Sequence, residues 1–130
     1  MSLEFVNPTN SPAPAGGYSN LAVIPPDRRL LVIAGQIGNL IDGSIVEGLE
    51  AQFDQALANI NSIVSSQGGD SSDVARVTVF LVEKPTKGKL IGEALSKNFP
   101  GADPAMSWIY VAGLFRPDVL VEIEAIAAVK

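Results

Sequence analysis

The sequence contains neither cysteine nor histidine among its 130 residues. The chain therefore cannot form a disulfide, a thiolate nucleophile, a Ser-His-Asp triad or one of the usual zinc sites. Any chemistry must instead depend on carboxylates, on Tyr, Ser or Thr hydroxyls, on Lys or Arg, on backbone amides or on water.

Long hydrophobic segments are also missing. No apolar run reaches the roughly 18 residues expected of a membrane-spanning helix. The first ten residues, MSLEFVNPTN, lack the basic patch and apolar stretch of a signal peptide. We therefore expect a cytoplasmic protein without membrane contact. The length fits a single domain over residues 1–130, and the first three residues resemble a cloning remnant.

Charge is scarce and mostly negative. Only 18% of the residues are charged, the net charge is −5 and the pI is about 4.5. Nucleic acids bind clustered positive charge, whereas the nine basic residues of this chain are scattered. Lys84, Lys87 and Lys89 come closest to a cluster, and we interpret them as the solvated start of a helix. Nucleic acid is therefore not an expected partner.

Apolar residues, in contrast, are abundant. They make up 47% of the chain, and the mean hydropathy is +0.28. Either the core is unusually large or part of the apolar surface meets a partner subunit. We favour the partner subunit, and hence a homo-oligomer.

Apolar periodicity predicts two helices. The first carries one apolar stripe with the helical period, formed by Leu49, Phe53, Ala56, Leu57, Ile60, Ile63 and Val64. Ser44 and Glu47 have the spacing of a capping box at its start, and Gly68 and Gly69 end it. The second helix is predicted over 86–99, and its apolar stripe consists of Leu90, Ile91, Ala94, Leu95 and Phe99.

Strands are predicted over 18–24, 30–34, 74–82, 107–112 and 119–129, with room for a further short strand near 4–6. The turn residues at 25–28 predict that the first two strands form a hairpin. The order β-β-α-β-α-β-β predicts an α+β fold with both helices on one face of a single sheet. Strand 74–82 is apolar on both faces, so we expect other copies of the chain to cover the face opposite the helices.

The last strand offers the clearest candidate for proton chemistry. Glu122 and Glu124 share one face of a mostly apolar strand, because side chains alternate along it. A carboxylate in such a place can accept or donate a proton or orient a water molecule. The alternative is that this strand face is exposed to solvent and that the two glutamates are merely solvated. Without the family resemblance, the residues favour this alternative.

Three further segments have two interpretations each. At 35–38, glycine lets backbone amides face a ligand, or the strand simply ends in a bulge. Tyr18 follows two glycines and either presents its hydroxyl to a ligand or lies at a strand edge. Trp108 and Tyr110 share a strand face, which is more typical of packing than of a binding cage.

Five segments, in order along the chain, resemble those of one family: 15–19 (AGGYS), 34–38 (AGQIG), 74–81 (VARVTVFL), 104–107 (PAMS) and 121–127 (VEIEAIA). On these residues the chain resembles the RidA/YjgF family of reactive-intermediate deaminases, often labelled endoribonuclease L-PSP or translation initiation inhibitor. The resemblance covers about residues 12–129.

The resemblance implies a chorismate-mutase-like α+β subunit with two helices on one face of a mixed sheet. It also implies a homotrimer with a small-molecule cleft at each subunit interface. Active members hydrolyse enamines and imines made by pyridoxal-phosphate enzymes to a 2-keto acid and ammonia. They need no cofactor and no metal.

The resemblance also suggests roles for individual residues. Tyr18 would line the cleft and Gly35 would offer backbone contacts. Glu122 would orient the attacking water or relay a proton. Ser107 would lie beside the substrate.

The chain departs from the family at a position that matters for binding. Met106 stands where active members have an arginine that grips the substrate carboxylate, and methionine supplies neither charge nor a strong donor. Met106 and Trp108 would widen the apolar part of the cleft. Gly17 replaces a usual proline, Gly92 lies near a usual polar residue, and Arg116 is a conceivable substitute for the missing arginine.

Three functions follow for testing. The first is imine hydrolysis with altered substrate choice, which we prefer because Tyr18 and Glu122 are both present. The second is a non-catalytic trimer that binds a small metabolite. The third is an endoribonuclease or translation inhibitor, which the acidic pI and the missing histidine disfavour.

Overall fold

The computed structural model describes residues 1–130, and it contains two α-helices and six strands. In chain order these are β1 (Glu4–Val6), β2 (Leu21–Val23), β3 (Arg29–Gln36), α1 (Leu49–Ser66), β4 (Val74–Leu81), α2 (Gly88–Asn98), β5 (Ala105–Tyr110) and β6 (Val121–Val129). The predicted order is confirmed, including the short strand near residue 4. Neither helix is long and apolar enough to cross a membrane.

The main sheet has four strands in the order β3-β6-β4-β5, and β1 and β2 form a separate antiparallel pair. Strands β4 and β5 run parallel, whereas β6 is antiparallel to both of its neighbours. With both helices packed against it, this mixed sheet confirms the predicted α+β class. Strands β3 and β5 form the two outer edges of this sheet.

The predicted hairpin between the second and third strands is wrong. Strand β2 pairs with β1, and β3 pairs with β6 instead. The Arg28 guanidinium in the intervening turn is nearly buried and bonds both Asp73 Oδ1 (2.8 Å) and the Ala128 carbonyl (3.1 Å). This long-range anchoring directs the turn toward β6, so a local hairpin does not form.

The core lies between α1 and the sheet. The predicted stripe of α1 is buried at six of its seven positions, and only Ile63 is half-buried. It packs on Val77, Val79 and Leu81 of β4 and on neighbouring residues of β6. In α2, Ile91 and Ala94 are buried as predicted, but Leu90 is 42% exposed and lies outside the stripe.

The capping box predicted for α1 is wrong. The N-cap is Gly48, at a φ of 94°, and no side chain caps it. Ser44 instead donates its amide (2.9 Å) and hydroxyl (2.6 Å) to the Asp42 carboxylate, and these bonds lower the pKa of Asp42. The local Asp42–Ser44 turn therefore takes Ser44 away from the helix, as short polar side chains often do.

The sheet face opposite the helices carries several apolar side chains that are exposed to solvent. Val32 is 85% exposed, and its partner across the β3–β6 ladder, Ile126, is 38% exposed. Leu30 lies beside them on β3 and is also exposed, while Phe80 is half-buried. We call this surface the open face. Contiguous apolar area of this kind is typical of a face that meets another protein surface.

Candidate active site

A cavity of about 710 Å³ lies along the outer edge of β5. Four of the residues singled out from the sequence line it: Tyr18, Met106, Ser107 and Trp108. The loop at 15–17, Leu95 of α2 and Ile109 complete the walls. The structure thus brings these four predicted residues together.

Backbone contacts with the start of β5 place Tyr18 in this cavity. The Ser19 amide donates to the Pro104 carbonyl (3.3 Å), and Ser19 forms a parallel bridge with Ala105. The Tyr18 hydroxyl accepts a hydrogen bond from the Ala15 amide (3.2 Å). Because its oxygen is the acceptor there, its own proton remains available to a ligand.

The edge of β5 also supplies backbone donors. The Val111 amide donates to Leu81 on β4 (2.8 Å), whereas the Pro104 carbonyl faces the other way, toward Ser19. Alternate residues of a strand direct their backbone groups to opposite sides. The amides of Met106 and Trp108 therefore point away from β4. The bridge with Ser19 directs the Met106 amide at the Ser19 carbonyl, whereas the Trp108 amide faces the cavity.

The wall formed by Met106 and Trp108 is apolar and well supported. Both side chains are half-buried and pack against the core beneath the helices. The indole of Trp108 contacts the Phe53 ring, with centroids 5.7 Å apart and planes tilted by 47°. No sequence signal predicts this support from α1, since Phe53 is only one apolar residue in a stripe.

Glu122 and Gly35 form a second group on the open face. A Cβ atom placed on Gly35 would lie 2.2 Å from the Glu122 Oε2 atom, so the carboxylate lies directly against this glycine. The backbone bulges here, between Ile33 and Gln36, which confirms the bulge interpretation of the segment. Gly35 therefore makes space for Glu122, a role that sequence reasoning missed.

The predicted shared face of Glu122 and Glu124 is confirmed, because they lie opposite Phe80 and Thr78 on β4. Glu122 is half-buried and Glu124 is exposed. Strand β4 separates them from β5, and the side chains of Met106 and Trp108 point to the opposite sheet face. One copy of the chain therefore does not bring Glu122 to the cavity of Tyr18.

No cationic side chain lines the cavity. Arg116 does not replace the missing arginine, because its guanidinium makes two bonds to Asp118 (3.0 and 2.7 Å) in the turn before β6. Arg76 donates to the Ser107 hydroxyl (2.6 Å), but it extends from β4 and is absent from the cavity wall. A substrate carboxylate in this cavity would thus meet no arginine of the same chain.

Comparisons with known proteins agree with this architecture. The family model for Endoribonuclease L-PSP matches residues 8–129. A RutC family protein from Pyrococcus horikoshii is 38% identical over 128 residues, which cover 95% of this chain and 96% of that protein. The 2-iminobutanoate/2-iminopropanoate deaminase of Mus musculus is 35% identical over 130 residues, which cover 95% of this chain and 90% of the mouse protein.

Solved structures show the same fold. A Rid family protein of unknown function from Yersinia pestis superposes with a TM-score of 0.85 at 31% identity, covering 99% of this chain and 100% of the other. RidA from an Antarctic Psychrobacter superposes with a TM-score of 0.70 at 28% identity, covering 97% and 99%. Since the family match spans nearly the whole chain, this protein belongs to the Endoribonuclease L-PSP family, the RidA/YjgF family that its sequence resembles.

Proposed function

We propose that this protein hydrolyses reactive imines and enamines to a carbonyl compound and ammonia, at a site shared between two copies of the chain. The observation that carries the proposal is the division of the candidate residues. The cavity with Tyr18 lies at the outer edge of β5, whereas Glu122 lies on β6 against Gly35 of β3, with β4 between the two groups.

A ring of identical subunits would unite the two groups. When the β5 edge of one copy meets the β3–β6 edge of the next, the contact is head-to-tail, and such contacts form a ring when the rotation between copies closes. The exposed Leu30 and Val32 support this contact, because a groove of about 410 Å³ runs beside them along β3. A homotrimer, as the family resemblance implies, is the assembly that we propose.

In such a site the chemistry needs only groups that this chain has. Water adds to the imine carbon while the Glu122 carboxylate accepts one of its protons. Glu122 passes that proton to the nitrogen, which gives a neutral carbinolamine. Glu122 then takes the carbinolamine hydroxyl proton and delivers it to the nitrogen as the C–N bond breaks, so that imine and water become carbonyl and ammonia. An enamine enters the same route once it takes up a proton on carbon and loses one from nitrogen.

The first subunit would bind and orient the substrate. The Trp108 amide and the Tyr18 hydroxyl are donors suited to a carboxylate or carbonyl oxygen. The wall of Met106 and Trp108 favours an apolar group where an arginine would favour an anion. Substrate choice should accordingly differ from that of relatives that have the arginine. The name of the mouse relative, a deaminase of 2-imino acids, supports the reaction class.

The proposal is tested by releasing imines with an amino-acid oxidase and measuring ammonia against a control without this protein. The natural protein is expected to accelerate ammonia release. The amino acid whose imine reacts fastest would indicate which side chain the pocket accepts. Met106→Arg should improve KM for small imino acids by about 10- to 100-fold, since a charged bidentate bond is restored.

The same assay distinguishes the alternative of a non-catalytic binding protein, which the apolar wall and the lack of a cation in the cavity favour. Activity only in Met106→Arg would show an intact scaffold that has lost this reaction. No activity in either protein would contradict the proposed hydrolysis and support binding without turnover.

A further inference from the structure

A second cavity continues from the first. It measures about 470 Å³ and lies between α2 and the loop before β5. Gly17 and Leu95 line both cavities, so the two adjoin at these residues, and a ligand that fills both would occupy one continuous space. A ligand bound along the β5 edge can therefore extend past Gly17 toward α2.

Two glycines line this space. At Gly17 and at Gly92 an added Cβ atom would meet no other atom within 4 Å, and neither residue has a positive φ. The backbone therefore does not require glycine at these positions. Together with Met106, they are the three departures from the family pattern noted in the sequence, and all three line this one space.

The continuous space is lined by a negative charge, whereas an arginine in it would supply a positive one. Among the residues that line it, the only one charged at neutral pH is Asp103, in the second cavity. The Asp103 carboxylate is exposed and has no hydrogen bond or ion pair within the chain, and the Ser96 hydroxyl nearby is also unpaired. Asp103 is thus free to receive a cation from a ligand.

We infer that the substrate is an imine with a long side chain that ends in a positive charge, such as an amine or a guanidinium. The reacting carbon lies against the β5 edge, the chain passes between Gly17 and Gly92, and the cation meets Asp103. This inference rests on the proposed imine hydrolysis and adds the substrate class to it.

The test compares imines generated by an amino-acid oxidase from alanine, citrulline and arginine. Citrulline and arginine have side chains of nearly the same length, but only arginine is charged. The natural protein should prefer both long imines to the alanine imine. It should also prefer the arginine imine to the citrulline imine by about three- to fivefold in kcat/KM at low salt, a preference that salt should weaken.

Two variants separate charge from length. Asp103→Asn should remove the preference for the arginine imine and leave the citrulline imine unchanged, whereas Asp27→Asn, in a distant exposed turn, should change neither. Gly92→Leu should fill the passage and slow both long imines while sparing the alanine imine. Thermal unfolding will test whether Gly92→Leu is folded. If it is not, Gly92→Ser serves as the smaller replacement.

Equal kcat/KM values for arginine and citrulline imines, or a preference for the alanine imine, would overturn the inference while hydrolysis itself stands. If no imine is turned over, the proposed hydrolysis fails. The inference is then tested by comparing the binding of arginine with that of citrulline. The single tryptophan of the chain lines the cavity, so its fluorescence reports binding of arginine and citrulline directly. Tighter binding of arginine that Asp103→Asn abolishes would support the inference, and equal binding would overturn it.

Discussion

The two edges of the main sheet differ in what they offer to a substrate. The β5 edge has a cavity of about 710 Å³, the free amide of Trp108 and an apolar wall, but no carboxylate on that wall. The β3–β6 edge has a half-buried carboxylate, Glu122, against Gly35, and neither residue lines the cavity at the β5 edge. The β5 edge has groups suited to binding a ligand, and the β3–β6 edge has a carboxylate suited to proton transfer. Within a single copy, the cavity and the carboxylate are therefore separated.

The largest effect is expected when the carboxylate is neutralised. Glu122→Gln should lower kcat by about 100- to 10,000-fold, because an amide cannot accept the proton of the attacking water. Binding at the β5 cavity should persist, which tryptophan fluorescence can measure. The matched control is Glu124→Gln, on the same face but exposed, which should keep nearly full activity. Equal losses in both variants would contradict the role of Glu122.

A smaller loss is expected when the support of the carboxylate is changed. Gly35→Ala places a methyl group 2.2 Å from the present position of Glu122 Oε2, so the carboxylate must move. Displacement of a catalytic group by about 1 Å can reduce the rate by about 100-fold. The fall should appear in kcat more than in KM. Gly88→Ala, where a Cβ atom meets nothing within 4 Å, is the control and should remain active.

The smallest effect is expected between the two edges, at the short turn that leads into β4. Asp70 accepts hydrogen bonds from the Ser72 hydroxyl and amide, and these lower the pKa of Asp70 from 3.8. Its contribution to stability is therefore present above about pH 4 and is lost as the pH falls through the lower folded value.

Asp70→Asn should consequently flatten the acid side of the stability curve, measured by urea unfolding between about pH 2 and pH 5. Near neutral pH it should cost less than about 1 kcal/mol, since Asn is also a good cap. Imine hydrolysis should not change, because Asp70 belongs to neither edge. An altered kcat would show that the two edges are coupled through β4.

Local patterns predicted the elements of the fold well. The stripe of α1 and the alternation in β4 and β6 are properties of neighbouring residues, so the sequence displays them directly. The pairing of β3 with β6 could not be seen in this way, because it depends on contacts between distant segments such as those of Arg28 with Asp73 and Ala128. The failed cap at Ser44 has a local cause, the competing carboxylate of Asp42.

The candidate site was predicted in part. The sequence singled out Tyr18, Met106, Ser107 and Trp108, which do share a cavity. It could not show that Glu122 faces the other side of the sheet, because that depends on the strand order and on the register between β4 and its two neighbours. The close contact of Gly35 with Glu122 was hidden for the same reason, since the two residues are far apart in the chain.

The sharing of one site between two copies can be tested most directly with mixed assemblies. Tyr18→Ala damages only the β5 edge and Glu122→Gln only the other edge, so each variant alone should be nearly inactive. When the two are produced together with different tags and mixed species are purified, the mixed trimers should recover about one third of the natural activity, because each mixed ring of three has one interface out of three with two intact halves. Mixing Glu122→Gln with Gly35→Ala, both at the same edge, should restore none. Mixed species of Tyr18→Ala and Glu122→Gln that remain inactive would contradict the account.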